Sequence, residues 1–286
     1  MRIALAANRA SGGGLDPEPL AVAMRSHGAV VAVFGCRGED LERAADWGPD
    51  RLAVAGGDGT IGSVAELAGR LDVPLAVLPT GTANDFARVH DVPDDLLAAA
   101  ALAASGEHTR PLELGRLADG RPFVNVASAG LASVAARNAQ PLKPRLGPLA
   151  YGVGAARAAA REHPLPVSVR VDGREVFDGG CWQLIVAVSG AFGGGSGVAE
   201  ADPDDGVLDV VIIPAGTRIG LARRAYGLRR QTIAQQRDVP HEQGHVVEVG
   251  LPPGSEINVD GEIRDGGLER VTVEPRAFRL VVPAPR

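Results

Sequence analysis

Carboxylates set among glycines are the first feature of this chain with chemical consequences. Asp58 stands in Gly56-Gly57-Asp58-Gly59-Thr60, and Asp85 closes the run Pro79-Thr80-Gly81-Thr82-Ala83-Asn84-Asp85. Asp202 and Asp205 belong to an acidic stretch that ends in Gly206-Val207, and Asp260 and Glu262 flank Gly261. Glycine lets a backbone turn tightly and lets a ligand approach closely. Where such a turn opens a helix, free N–H groups and the positive end of the helix dipole suit an anion, most often phosphate. A carboxylate in that turn repels phosphate unless a divalent cation or water intervenes, or unless it accepts a hydroxyl instead. Two readings follow for residues 56–60: phosphate held with the help of a divalent cation, or a tight turn.

The elements that must position these residues follow from periodicity. Strands are expected over 3–7, 29–34, 51–55 and 74–78, and helices over 17–27, 39–46, 60–71 and 93–105. Thr60 reads as the N-cap of the third helix. This βαβα rhythm implies a parallel, doubly wound sheet with right-handed crossovers. Ligands of such sheets bind beyond the carboxyl ends of the strands. The loops 8–14, 56–60 and 79–88 fall at that edge.

Beyond about residue 110 strand signals dominate, over 109–117, 123–127, 166–171, 182–188, 208–213, 245–249, 256–259, 271–274 and 279–282. Asp172-Gly173 and Asp260-Gly261 are turn dipeptides between them. The pattern suggests an antiparallel sandwich, interrupted by helical stretches at 147–162 and 219–236. The expected fold is thus an α/β N-terminal domain over 1–110 and a mainly antiparallel β-sandwich over 111–276, with 277–286 returning to the first.

Composition narrows the class. With 286 residues, 45% hydrophobic and 22% charged, the chain can bury a sizeable core. No apolar run is long enough for a membrane span, and the N-terminus reads as a strand rather than a signal peptide. Cys36 and Cys181 are expected as reduced, buried thiols of a cytoplasmic protein. A net charge of −6 argues against a general nucleic-acid binder.

Five ordered segments carry a resemblance that spans nearly the whole chain. Residues 78–88 (LPTGTANDFAR) resemble the second signature of the diacylglycerol kinase catalytic domain and its bacterial lipid-kinase relatives. The segments 123–130, 188–197, 204–213 and 257–263 follow in that family's order. NAD kinases and phosphofructokinases share the GGDGT pattern, but NAD kinases are not expected to show the segments at 79–88 or 193–209.

The resemblance implies ATP contacts at Asn8, Ser11, Gly12, Gly56, Gly57, Asp58, Gly59, Thr60 and Thr82, with Asp58 and Asp85 holding the ATP-bound Mg²⁺. It implies a proton acceptor at Glu262 supported by Asp260. Two acids two residues apart share a cleft if the turn between them is bulged, and mutual repulsion then raises one pKa, as suits a base. The resemblance also implies a structural Mg²⁺ bound by the Asp205 carboxylate and the carbonyls of Asp202 and Val207. The first loop departs from the family, having neither its proline nor its lysine.

The activity implied is phosphorylation of a lipid hydroxyl, with diacylglycerol as the leading acceptor. Sphingoid or non-lipid alcohols stay open, as does a catalytically silent nucleotide-binding regulator. The partners implied are a lipid substrate, peripheral contact with a membrane surface and a possible homodimer, with no nucleic acid. For membrane contact the candidate is the helical stretch carrying Arg218, Arg223, Arg224, Arg229, Arg230 and Arg237, since a basic amphipathic helix lies well on anionic lipid. His241-Glu242-Gln243-Gly244-His245 matches the zincin pattern, but Pro240 before it and Gly244 within it argue for a strand.

Overall fold

The computed structural model describes residues 1–11, 14–131, 133–134, 163–192, 196–198, 201–230, 232–236 and 238–285. Gly12 and the helix expected at 147–162 lie outside the described residues. The chain divides into two units, Met1–Leu114 with Glu274–Arg286, and Gly115–Val273.

The first unit is built on parallel strands. β1 (Arg2–Ala7), α1 (Glu18–Ser26), β2 (Val30–Gly35), α2 (Glu39–Asp46), β3 (Arg51–Gly56), α3 (Asp58–Leu71), β4 (Leu75–Pro79), α4 (Asp85–Val89) and α5 (Leu96–Ser105) follow in order. β1 pairs with β2 on one side and β3 on the other, and β3 pairs with β4, all parallel. The chain's last strand adds beyond β4, Leu280 opposite Leu75. The order is therefore β2-β1-β3-β4 and then the last strand, and it reverses between β1 and β3. Loops after β1 and β3 meet at that reversal, where doubly wound sheets bind ligands.

Helices cover both faces of this sheet, so β1 and β3 are apolar almost throughout rather than alternating. Ile3, Leu5 and Ala53 pack with Leu20 and Met24 of α1 and Ala99 and Ala103 of α5. Leu52 and Val54, equally buried, belong to the opposite face, where α3 lies on β3. Fully burying a side chain of this size contributes about 1.5–3 kcal/mol. At the start of α5, Asp95 caps the helix, its Oδ1 accepting the Ala98 N–H at 2.8 Å.

The second unit is antiparallel. Its elements are β5 (Thr109–Leu117), which starts in the first unit, β6 (Pro122–Phe123), β7 (Val126–Gly130), β8 (Leu165–Val171), β9 (Arg174–Ala187), β10 (Ala191–Phe192), β11 (Ser196–Gly197), β12 (Leu208–Pro214), α6 (Arg218–Arg229), β13 (His241–Gly244), β14 (Val246–Gly250), β15 (Glu256–Val259), β16 (Glu262–Asp265) and β17 (Arg270–Val281). β9 is the centre, pairing with β7, β8 and β12. Its residues alternate between two cores. Cys181, Leu184 and Val186 pack with Val169, Val210 and Val247, whereas Trp182, Ile185 and Ala187 pack with Leu221 of α6 and Ile233.

The structure departs from the sequence expectations at several elements. The two last expected strands are one, β17, which runs from the second unit into the first. α4 was not anticipated, being five residues long and too short for a periodic signal. Residues 241–244 form a strand, so the zincin pattern lacks the helix it needs.

α6 ends at Arg229, two of its arginines are engaged within the fold, and Arg237 lies outside the described residues. Arg224 is only 7% exposed and donates to the Pro214 carbonyl and to Asp238. Arg223 binds both oxygens of the same aspartate. The Arg224 hydrogen bond, with both positive charges nearby, holds the Asp238 carboxyl below its usual range. Among the described residues no helix is long and apolar enough to cross a membrane.

Candidate active site

Three loops of the first unit are joined by side-chain hydrogen bonds. Leaving β1, the Asn8 N–H donates to the Ala55 carbonyl at 2.9 Å, and its amide Nδ2 donates to Thr60 Oγ1 at 3.1 Å. Ser11 Oγ donates to the Thr80 carbonyl at 2.9 Å. The Thr80 N–H returns to the Gly56 carbonyl at 3.1 Å. Asn8, Ser11, Gly56, Thr60 and Thr80 are thus brought together, while Thr82 stands exposed at the loop's tip.

The helix behind these loops starts earlier than expected. Gly57, in an extended conformation, is the N-cap of α3, and Asp58 is already helical. Thr60 is therefore not the cap. It sits inside the first turn, 4% exposed, its hydroxyl taken up by Asn8. No side chain caps α3, and the Thr60 N–H donates to the Gly57 carbonyl at 2.9 Å, so the helix opens on a glycine turn of the kind that suits an anion. Gly57 and Gly81 pass so close that a Cβ on Gly81 would lie 2.6 Å from the Gly57 Cα. The two glycines keep the cradle open, and only glycine fits there.

Asp58 has a further partner set that the sequence does not reveal. Its Oδ1 accepts the Phe86 N–H at 2.9 Å and its Oδ2 the Asp85 N–H at 3.2 Å. The carboxylate thus caps α4, twenty-seven residues away. Asn84 turns the chain into α4 with φ of 50°, and its Oδ1 accepts the Gly81 N–H at 2.8 Å. Asp85 is 5% exposed, and its Oδ1 accepts from Arg88 Nη1 at 2.6 Å. The guanidinium on Asp85 shows that this corner takes positive charge. Asn84 and Arg88 were missed in the sequence, although Asp-x-x-Arg on a helical turn is a legible ion-pair spacing.

In the second unit Asp260 and Gly261 form the loop of the β15–β16 hairpin, with φ of 47° and 86°. Val259 pairs directly with Glu262, so the turn is the tight two-residue type with both central residues at positive φ. It is not bulged, and the two carboxylates accept from different groups. The Asp260 carboxylate accepts three backbone N–H groups, from Val124 at 2.9 Å, Asn125 at 2.9 Å and Val126 at 3.0 Å. Ser189 Oγ in turn donates to Asn125 Oδ1 at 2.6 Å, tying in the segment before the glycine-rich residues. Glu262 has a side chain 35% exposed, and its Oε2 accepts from Arg264 Nη2 at 2.5 Å.

The acidic loop lies before β12. Asp205 Oδ1 accepts the Val207 N–H at 3.0 Å, and its own N–H points to the Asp202 carbonyl at 3.4 Å. Burial raises the Asp205 carboxyl above its ordinary range, the Val207 bond works against this, and the charges of Asp209, Asp202 and Asp204 add to the rise. A bound cation would relieve that repulsion. Among the described residues no three His, Cys, Asp or Glu side chains converge on one metal position. A cation here or at Asp58 and Asp85 would rest on one or two carboxylates plus carbonyls, water or phosphate, the coordination that suits Mg²⁺.

Comparison with known proteins places this architecture. Residues 3–117 match the diacylglycerol kinase catalytic domain, and residues 125–282 match the YegS C-terminal NAD kinase beta sandwich-like domain. A probable lipid kinase YegS-like protein of Pseudomonas aeruginosa is 34% identical over 253 residues, covering 85% of this chain and 80% of the relative. A diacylglycerol kinase of Bacillus subtilis is 30% identical over 224 residues, covering 77% and 72%. The crystal structure of a diacylglycerol kinase from Bacillus anthracis superimposes with a TM-score of 0.77 at 21% identity, over 99% of this chain and 97% of that one. The fold is that of the diacylglycerol and NAD kinases, an α/β unit joined to a β-sandwich unit. The chain belongs to the diacylglycerol kinase family, among its YegS-like lipid kinases.

Proposed function

We propose that this lipid kinase uses Mg²⁺ and ATP, and that its leading acceptor is the free hydroxyl of diacylglycerol. The observation that carries the reading is the different setting of two neighbouring acids. Asp260 is spent on three backbone N–H groups, whereas Glu262, two residues on, keeps a partly exposed carboxylate.

In the first unit, the open N-terminus of α3 and the cradle of Gly57 and Gly81 suit phosphate oxygens. Asn8, Ser11, Gly12, Gly56, Gly59, Thr60 and Thr82 complete the nucleotide loops in this reading, with Asp58 and Asp85 holding the nucleotide's Mg²⁺. Mg·ATP supplies an activated γ-phosphoryl group whose charge the metal partly neutralises. Glu262 accepts the proton of the acceptor hydroxyl as its oxygen bonds to the γ-phosphorus and the bond from that phosphorus to the leaving ADP oxygen breaks. Asp260 holds the hairpin that aims Glu262. The loop of Asp202, Asp205 and Val207 takes a second, structural Mg²⁺.

A screen of extracted lipids with radiolabelled ATP, the labelled product identified by mass, tests the proposal. Labelled phosphatidic acid is the expected product. A labelled sphingoid base or small alcohol replaces the acceptor. ATP binding with no labelled product of any kind replaces the kinase with a silent nucleotide-binding regulator.

A further inference from the structure

The backbone that carries Glu262 is held firmly, but its carboxylate is not thereby aimed. Asp260 anchors the turn through three N–H groups, and Asn258 Oδ1 accepts the Gly261 N–H at 2.9 Å. Those contacts fix the Glu262 Cα. Three side-chain torsions still separate that atom from the oxygens that would take a proton.

Arg264 makes a contact at the far end. Residues two apart on a strand share a face, and Arg264 Nη2 reaches Glu262 Oε2 at 2.5 Å. Both side chains are about one-third exposed, at 32% and 35%. Ion pairs this exposed contribute little to stability, so folding alone gives small reason for the pair. Its larger effect is geometric.

The Arg264 charge also acts on Asp119. A hydrogen bond from Arg121, with the charges of Arg121 and Arg264 behind it, keeps the Asp119 carboxyl below its usual range. Arg121 also feels the charge of Glu262. Asp119 with Arg121 and Glu262 with Arg264 are thus two acid–arginine pairs that feel each other's charge.

We propose that Arg264 is the positioning residue for the Glu262 carboxylate, fixing which of its oxygens meets the acceptor hydroxyl. The inference rests on Glu262 acting as the proton acceptor. Arg264 touches no reactant in this reading and acts through Glu262. A planar guanidinium fixes a carboxylate's orientation better than a lysine ammonium does.

The test uses the full-length chain with Mg·ATP and dioctanoylglycerol in mixed micelles. Arg264→Gln is expected to lower kcat by up to ~100-fold, as displacement of a reacting group by an ångström does, with KM for ATP unchanged. Arg264→Lys should recover part of the rate. Added to Glu262→Gln, Arg264→Gln should cause no further loss, because both act at one point.

A second readout needs no turnover. The Glu262 carboxyl ¹³C resonance, assigned by its disappearance in Glu262→Gln, should shift in Arg264→Gln. An unmoved resonance overturns the contact and the inference with it. Parental kcat in Arg264→Gln, with Glu262→Gln inactive, overturns the positioning role and leaves the base in place. An active Glu262→Gln overturns both, and a further loss in the double variant assigns Arg264 to the substrate itself.

Discussion

At the scale of single residues, Asp260 and Glu262 have different hydrogen-bond partners, a difference that their spacing alone does not reveal. Glu262→Gln keeps size and most hydrogen bonding but removes basicity, so the rate should fall by roughly two to four powers of ten. ATP affinity should hold, as isothermal titration would show. Asp260→Asn presents an amide N–H to donors that need an acceptor, which costs about 1–3 kcal/mol of stability. It should lower the melting temperature more than Glu262→Gln does and kcat less. The reverse ordering in kcat would exchange their roles. The residue types and order were legible in the sequence. The three N–H bonds were not, because they come from residues 124–126, more than 130 positions away.

At the scale of elements, the two nucleotide loops behave as one part. Gly81→Ala drives a Cβ against the Gly57 backbone and against Asn84 Oδ1, at 2.6 and 2.8 Å. It should cost about 1–3 kcal/mol, as overpacking does, and weaken nucleotide binding; a melting curve and ATP titration like the parent's would show that the loops can part. The acidic loop before β12 should respond to pH and, on the proposed reading, to metal. Its raised Asp205 pKa means that stability is present at low pH and is lost as pH rises through that raised value. At pH 7 in EDTA, Asp205→Asn should therefore melt above the parent. Mg²⁺ should raise the parent's melting temperature and leave the variant's unchanged; a variant that still responds to Mg²⁺ would move the cation elsewhere. The parallel strands and the Asp260-Gly261 turn were legible from apolar runs and turn chemistry. The Asp58 cap on α4 was not, since a capping bond across twenty-seven residues leaves no local pattern, and Thr60 looked like the cap because helix starts blur where glycines cluster.

At the scale of the molecule, the first unit depends on the end of the chain. β17 brings Leu280 beside Leu75 and sets Phe278 against Phe86 of α4, ring centroids 6.5 Å apart. The Val282 N–H donates to the His108 carbonyl at 3.0 Å. A chain stopped after Val273 loses all three contacts and leaves the edge of β4 and the apolar side of α4 uncovered. It should fail to bind ATP and should bind a hydrophobic dye, while retaining β-rich circular dichroism from the second unit. Nucleotide binding by that truncated chain would show that the first unit is complete without it.

The same strand sets an order in time. A ribosome releases the β-sandwich before it releases residues 274–285, so the unit made first is the one finished last. Domains that fold as contiguous blocks are completed in the order of their synthesis. Here the loops after β1 and β3 wait, with an open sheet edge, until everything between Gly115 and Val273 has left the tunnel.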